Sequence, residues 1–201
     1  MNTFLGASVE LGAADVDETL IANAKVTYLE GYLFDKEKAK QAFIKAAEAA
    51  HKSGHRVALT LSDPFCVDRH REDFLNLVEN HIDILFANED EIKSLFQKDN
   101  FDDAKNAISK HVEVACLTRG AQGAVIVSGD TEVTINAEPV ENVIDTTGAG
   151  DQFAAGFLYG FTEDMSLEQA GKLGAIAAAE VISHMGPRPQ VQLADLLKQA
   201  A

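Results

Sequence analysis

Residues 145–158 read Asp-Thr-Thr-Gly-Ala-Gly-Asp-Gln-Phe-Ala-Ala-Gly-Phe-Leu. Glycines at 148 and 150 flank Ala149, so backbone N–H groups can converge there without side-chain obstruction at the start of a helix, where the dipole favours an anion. That is a seat for phosphate. Asp151 stands directly behind it in the first helical turn, and a carboxylate sharing space with a bound phosphate is placed to take a proton from an incoming hydroxyl. A seat and a base are the minimum for phosphoryl transfer to an alcohol, where positioning and charge stabilisation do most of the catalysis. Two other phosphate motifs fail on spacing. A P-loop needs Gly-Lys-Ser/Thr and no Lys lies near this turn, while G-x-G-x-x-G needs glycine where Phe153 stands. Taken alone, Asp145-Thr146-Thr147-Gly148 also reads as an ordinary turn and cap before a helix.

Two further stretches could share in such chemistry. Asn88-Glu89-Asp90-Glu91 follows an apolar run, and Thr118-Arg119-Gly120-Ala121-Gln122-Gly123 follows another. Taken alone, Asn88 and Glu91 are a helix N-cap and a first-turn carboxylate, and Gly120 and Gly123 serve a tight turn into a hairpin. With 145–158, in this order and approximate spacing, they resemble the PfkB carbohydrate kinases, the family of ribokinase, fructokinase and adenosine kinase. The likeness spans essentially the whole chain but only the later part of a family member.

The resemblance implies an α/β, ribokinase-like three-layer α/β/α fold, a mostly parallel sheet with an antiparallel β-hairpin at one edge. It implies ATP and Mg²⁺, with Asp151 as general base and the N–H groups of Gly148, Ala149 and Gly150 as anion hole. Asn88 would sit near the triphosphate and Glu91 would organise Mg²⁺ through water. Thr118, Gly120 and Gly123 would meet ATP phosphate or ribose. The adenine would lie on the small-faced helix 166–184, near Gly174 and Ala178. A monovalent cation such as K⁺ would be held by Asp145, the backbone at Thr147 and the loop Ser183–Gln190.

The family's acceptor-gripping Asp, Gly-Gly motif and β-sheet lid are not in these 201 residues, so the chain reads as one domain, 1–201, of a longer kinase with its N-terminal lid region absent. Leu61-Ser62-Asp63-Pro64-Phe65 and Leu85-Phe86-Ala87-Asn88-Glu89 look closer to adenosine kinase than to ribokinase. The acceptor is then a nucleoside 5′-hydroxyl, with a sugar such as ribose or fructose second. A non-catalytic nucleotide-binding fragment is the alternative of another class. The resemblance also allows a homodimer of the full-length protein.

The elements that must carry these residues alternate as βαβ units do. Strands are expected near Val26–Phe34, Arg56–Leu61, Ile82–Ala87 and Val112–Thr118. A helix over Lys36–Lys52 is expected from Ala39, Ala42, Phe43, Ala46, Ala47 and Ala50 on one face. Further helices are expected near Asp68–Glu79, Glu89–Phe96 and Phe101–His111. Gly129-Asp130 joins Ala124–Ser128 to Glu132–Ala137 as a hairpin. Helices near Ala149–Phe161 and 166–184, the latter opened by a Ser166/Gln169 capping box, and a last segment Gln192–Gln199 close the chain. Phe4–Leu11 is an apolar, β-prone run with no leading turn.

Composition narrows the partners. The chain carries 32 acidic against 17 basic side chains, net −15, and the excess is spread through it: 13 basic and 20 acidic in 1–110, 4 and 12 in 111–201. Nucleic-acid binding needs a Lys/Arg footprint that is absent here. A bound triphosphate must instead be neutralised by backbone dipoles and Mg²⁺, with Arg119 and Arg188 the nearest cations by motif. No apolar run approaches the roughly 20 residues that span a bilayer. Two cysteines, Cys66 and Cys116, make no disulfide framework, so a reduced, cytoplasmic protein is expected. Cys66 and His70 are too few ligands for zinc, and Asp99, Asp102 and Asp103 read as a solvated face.

Overall fold

The computed structural model describes residues 4–200, and the chain divides after Ala115 into two compact units. In chain order the first unit contains α1 (Glu18–Ala22), β1 (Val26–Glu30), α2 (Glu37–Lys52), β2 (Arg56–Thr60), α3 (Pro64–Arg69), α4 (Arg71–His81), β3 (Ile84–Asn88), α5 (Glu89–Phe96) and α6 (Phe101–Ile108). Strand β4 (Val114–Thr118) begins at its end. β1 pairs with β2 in parallel, Val26 opposite Arg56, and β2 with β3, Ala58 opposite Ile84. Val57, Ala58, Leu59, Ile84 and Leu85 are fully buried, the two-faced burial that parallel strands acquire under crossover helices. Helix α2 buries Ala39, Ala42, Phe43, Ala46, Ala47, Ala49 and Ala50, and Phe34 stacks on Phe74 with ring centroids 4.4 Å apart.

The expected boundaries move where the backbone has other partners. The first strand stops at Glu30, not Phe34, and a 3₁₀ turn follows. Gly31 is pressed so closely on β2 that a Cβ would lie 2.6 Å from the Thr60 carbonyl and 2.9 Å from that of Leu61. The helix expected from Asp68 is two helices. The first starts at Pro64, where the Asp63 carboxylate accepts from the N–H groups of Phe65 (2.7 Å) and Cys66 (3.3 Å), and it breaks at His70. The β-prone run Phe4–Leu11 forms a 3₁₀ turn over Gly6–Glu10.

The second unit carries β5 (Ala124–Ser128), β6 (Thr131–Ile135), α7 (Ala149–Thr162), α8 (Leu167–Ile182) and α9 (Leu193–Ala200). β5 and β6 pair antiparallel, Ser128 opposite Thr131 across Gly129-Asp130. The hairpin lies as its turn signal foretold, and the α/β class with a mixed-sense set of strands stands. Ser166 and Gln169 form the capping box of α8. α7 and α8 pack backbone to backbone: a Cβ on Gly156 would lie 2.5 Å from the Leu173 carbonyl, and one on Gly160 2.8 Å from the Cα of Ala170. No helix among the described residues is long and apolar enough to cross a membrane.

This packing predicts opposite outcomes for two glycines in one helix. Gly156→Ala overpacks α7 on α8 and costs about 1–3 kcal/mol. Gly150→Ala, where a Cβ meets nothing within 4 Å, is neutral or stabilising by up to ~1 kcal/mol through helix propensity. Urea unfolding of both variants checks this; equal midpoints would contradict the packing.

Candidate functional site

Helix α7 starts without a side-chain cap. Its N-cap is Gly148, held at φ +83°, with no side chain to offer the first N–H groups. Glycine is required twice over there, since φ is left-handed and a Cβ would lie 2.8 Å from Cβ of Pro187. The first N–H groups of a helix lack intrahelical acceptors, so this end offers donors and a positive dipole to an anion. The Ala149 N–H is turned into the preceding turn, donating to the Thr146 carbonyl at 3.2 Å. Of the three residues expected to face an anion, 148 to 150, Ala149 and Gly150 line the cleft described next and Gly148 does not, and the Ala149 N–H already makes this turn bond.

Asp151 lies one residue further on, in the first turn. Its side chain reaches solvent, yet partial burial still pushes its carboxyl above the usual carboxylate range. A raised pKa makes the carboxylate a stronger base toward a hydroxyl proton.

A cleft of about 540 Å³ in the second unit brings together Thr118, Gly120, Gly123, Ala149, Gly150 and Ala178. Six residues expected at a nucleotide site thus share one cavity. Gly123 has a structural duty as well, because a Cβ there would lie 1.9 Å from the Ile135 carbonyl. Gly174 does not line the cleft: it is buried in the α7–α8 contact, where a Cβ would lie 2.8 Å from the Phe153 carbonyl. The face of α8 that does line it carries Ala175, Ala178, Ala179 and Ile182, and Val140 and Val143 are among the other lining residues. That i, i+3, i+4, i+7 spacing was visible in the sequence as a helix face, without a sign of what it faced. Neither Arg119 nor Arg188 is among the lining residues.

Asp145 ties this region together. Its Oδ1 accepts from the Thr147 N–H (2.9 Å) and Oγ1 (2.7 Å), and its Oδ2 from the Gly186 N–H (3.0 Å). The Thr147 hydroxyl and these N–H groups hold its carboxyl down to about 2. The tie is therefore complete above the ordinary carboxylate range and fails only as pH falls through about 2. An always-ionised carboxylate with lone pairs to spare fits a monovalent cation.

In the first unit Asn88 and Glu91 realise the capping reading. Asn88 Oδ1 accepts the Glu91 N–H (2.8 Å), while the Glu91 carboxylate accepts the Asn88 N–H (2.8 Å) and Nδ2 (2.7 Å). Glu91 is 6% exposed, the buried charged residue of the described core. Burial pushes its carboxyl up to about 7, against the Asn88 N–H bond, and the like charges of Asp63, Glu30 and Asp90 add to the rise. Sequence reading missed these neighbours: Ser62, at φ +69°, donates to the Glu30 carboxylate, and the Tyr32 hydroxyl lies 3.5 Å from Asp63 Oδ2. The signal available was their position just past strand ends, where open α/β sheets bind ligands. Among the described residues no group of three or more His, Cys, Asp or Glu is arranged to hold a metal ion directly, and Glu91 already uses both oxygens on Asn88. Cys66, offered with His70 as a weak metal candidate, is buried with its Sγ 3.5 Å from the Gly31 carbonyl.

A family model described as pfkB family carbohydrate kinase matches residues 1–193. A probable sugar kinase protein from Rhizobium etli is 49% identical with a TM-score of 0.93, over 96% of this chain and 58% of that one. The adenosine kinase of Sinorhizobium meliloti is 47% identical with a TM-score of 0.94, over 96% and 59%. The ribokinase of Arabidopsis thaliana, solved with ribose and ATP, is 26% identical with a TM-score of 0.75, over 92% and 59%. The chain spans about half the length of the curated relatives it matches.

Glu91 gives a pH test of this geometry. With its folded-state pKa raised, Glu91 contributes most favourably below the ordinary glutamate value, and that contribution is lost as pH rises through about 7. Glu91→Gln removes the charge and keeps one acceptor, so its stability relative to the parent chain rises from pH 5 to pH 8. Urea midpoints at both pH values measure it; a constant difference would refute the buried charge.

Proposed function

The chain belongs to the pfkB family of carbohydrate kinases, and we propose that it transfers the γ-phosphoryl group of ATP to the hydroxymethyl oxygen of an adenosine-like nucleoside. The observation that carries this reading is the uncapped, glycine-led start of α7, whose Ala149 and Gly150 line the cleft that also holds Thr118, Gly120 and Gly123.

In this reading the acceptor hydroxyl gives its proton to Asp151 while its oxygen attacks the γ-phosphorus. The bond to the β–γ bridging oxygen breaks, and ADP leaves. The Gly148 and Gly150 N–H groups stabilise charge on the non-bridging oxygens as it shifts in the transition state. Asn88 and Thr118 help place the triphosphate, and the α8 face around Ala178 takes the adenine. Glu91 would hold Mg²⁺ through water, and the bound ion would supply the positive charge that this acidic chain does not bring to the phosphates. Asp145 and the Thr147 backbone hold a monovalent cation such as K⁺, which steadies the turn before α7. Cys66 and Cys116 are buried and not joined in a disulfide, in keeping with a reducing, cytoplasmic setting.

The nucleoside reading draws support from the likeness to the Sinorhizobium meliloti adenosine kinase. A sugar acceptor is the second reading, favoured by the equally close Rhizobium etli sugar kinase.

The test is ADP release with adenosine, ribose or fructose as acceptor. Asp151→Asn lowers acceptor-stimulated release by about 10²–10⁴-fold, the usual worth of a general base, and leaves ADP binding within a few-fold. Unchanged stimulated release in that variant would remove Asp151 from the chemistry. ADP binding with no stimulation by any acceptor would favour a nucleotide-binding role without turnover.

A further inference from the structure

Glu180 stands in the last turn of α8, where no basic residue offsets it and its charge meets the negative end of the helix dipole. Its side chain is nevertheless only 8% exposed. Its side-chain contacts fall on one oxygen: Oε1 accepts from the Gln190 N–H at 2.9 Å and lies 3.2 Å from Nε2 of His184. The other oxygen, Oε2, is buried and has no hydrogen-bond partner among the described residues. A buried polar atom left unpaired costs free energy, so α8 by itself gains nothing from this carboxylate.

What the carboxylate does hold is the segment that follows the helix. His184 and Gln190 bracket it, and between them lie two contacts that reach the start of α7. The Gly186 N–H donates to Asp145 Oδ2 at 3.0 Å, and Pro187 is the residue whose Cβ would lie 2.8 Å from a Cβ on Gly148. The segment has little packing of its own to fix it. Met185, Pro187, Arg188 and Gln190 are exposed, and Gly186 turns at φ +91° with open space where a Cβ would stand. A stretch with so little buried apolar surface opens easily unless hydrogen bonds hold it. Glu180 supplies them at both ends.

Resting on the kinase reading above, we infer that Glu180 is a positioning residue for phosphoryl transfer. Through one carboxylate oxygen it fixes the segment 184–190, and that segment sets the place of the Asp145 turn and of the start of α7, where this reading seats the transferred phosphoryl group. Glu180 does not line the cleft, so it acts only through this segment. Misplacing a reacting group by about 1 Å costs on the order of 10²-fold in rate.

The experiment compares the binding of ADP and of the non-hydrolysable β,γ-imido analogue of ATP to the whole chain with Mg²⁺, by calorimetry, beside acceptor-stimulated ADP release. Only the analogue carries a γ-phosphoryl group for the seat. Glu180→Ala is expected to leave ADP binding within about threefold, to weaken the analogue about fivefold or more, and to lower kcat about 10–100-fold with the acceptor KM little changed. Glu180→Gln keeps an acceptor oxygen for the Gln190 N–H and stays within about threefold of the parent chain in each measurement. Analogue binding unchanged in Glu180→Ala, or Glu180→Gln as impaired as Glu180→Ala, overturns the inference and leaves the kinase reading standing. So does an equal loss of ADP and analogue, which is what a general loosening of the fold gives. A parent chain that binds neither nucleotide removes the kinase reading and this inference with it.

Discussion

Close approach of two backbones, α7 on α8, is the constraint from which the rest of the second unit follows. Gly156 and Gly160 on one helix, and Gly174 on the other, meet main-chain or Cα atoms at distances where a side chain cannot stand. Gly171 extends the contact to the hairpin, because a Cβ there would lie 2.5 Å from Ile126 Cδ1. Packed this tightly, α8 turns Ala175, Ala178 and Ile182 to the cleft while α7 brings its first turn to the same cavity. Protein interiors at crystal-like density transmit a misfit over such distances rather than absorbing it. The helix pair is thus a frame, and the candidate chemistry is mounted on one end of it.

Charge is the second organising fact. A chain at −15 has no Lys or Arg lining the cleft among the described residues. An anion placed there would be met by the uncharged donors of a helix start. They bring partial positive charge without the desolvation cost of a buried cation. Elsewhere, in the first unit, the opposite problem appears: Glu91, Glu30 and Asp63 lie near enough to raise the Glu91 carboxyl. One place presents uncharged donors and a positive dipole; the other gathers carboxylates around a buried glutamate.

The hairpin at Gly129-Asp130, the Ser166 capping box and the alanine face of α2 depend on neighbours within a few positions, and all lie where they were expected. Boundaries moved where a distant strand intruded, as at Gly31 against Thr60 and Leu61. Thr118, Gly120, Gly123, Ala149, Gly150 and Ala178 were all legible and share a cleft. Val140, Val143 and Ile182 were not, because an apolar side chain carries no mark in sequence of whether it will face core or cavity.

The sequence by itself determined the glycine at the start of α7, the carboxylate behind it and the family to which both point, since these are matters of residue type at fixed local spacing. Only the tertiary structure decided that the start of α7 is pressed on a distant loop, with Gly148 against Pro187. It alone decided that Gly174 serves packing while its neighbours on α8 face the cleft. It also decided that Glu91 is buried among like charges. The reason is physical: torsions and caps are settled by adjacent residues, whereas burial, close approach and the field at a carboxylate are sums over atoms that the chain brings together only when it folds.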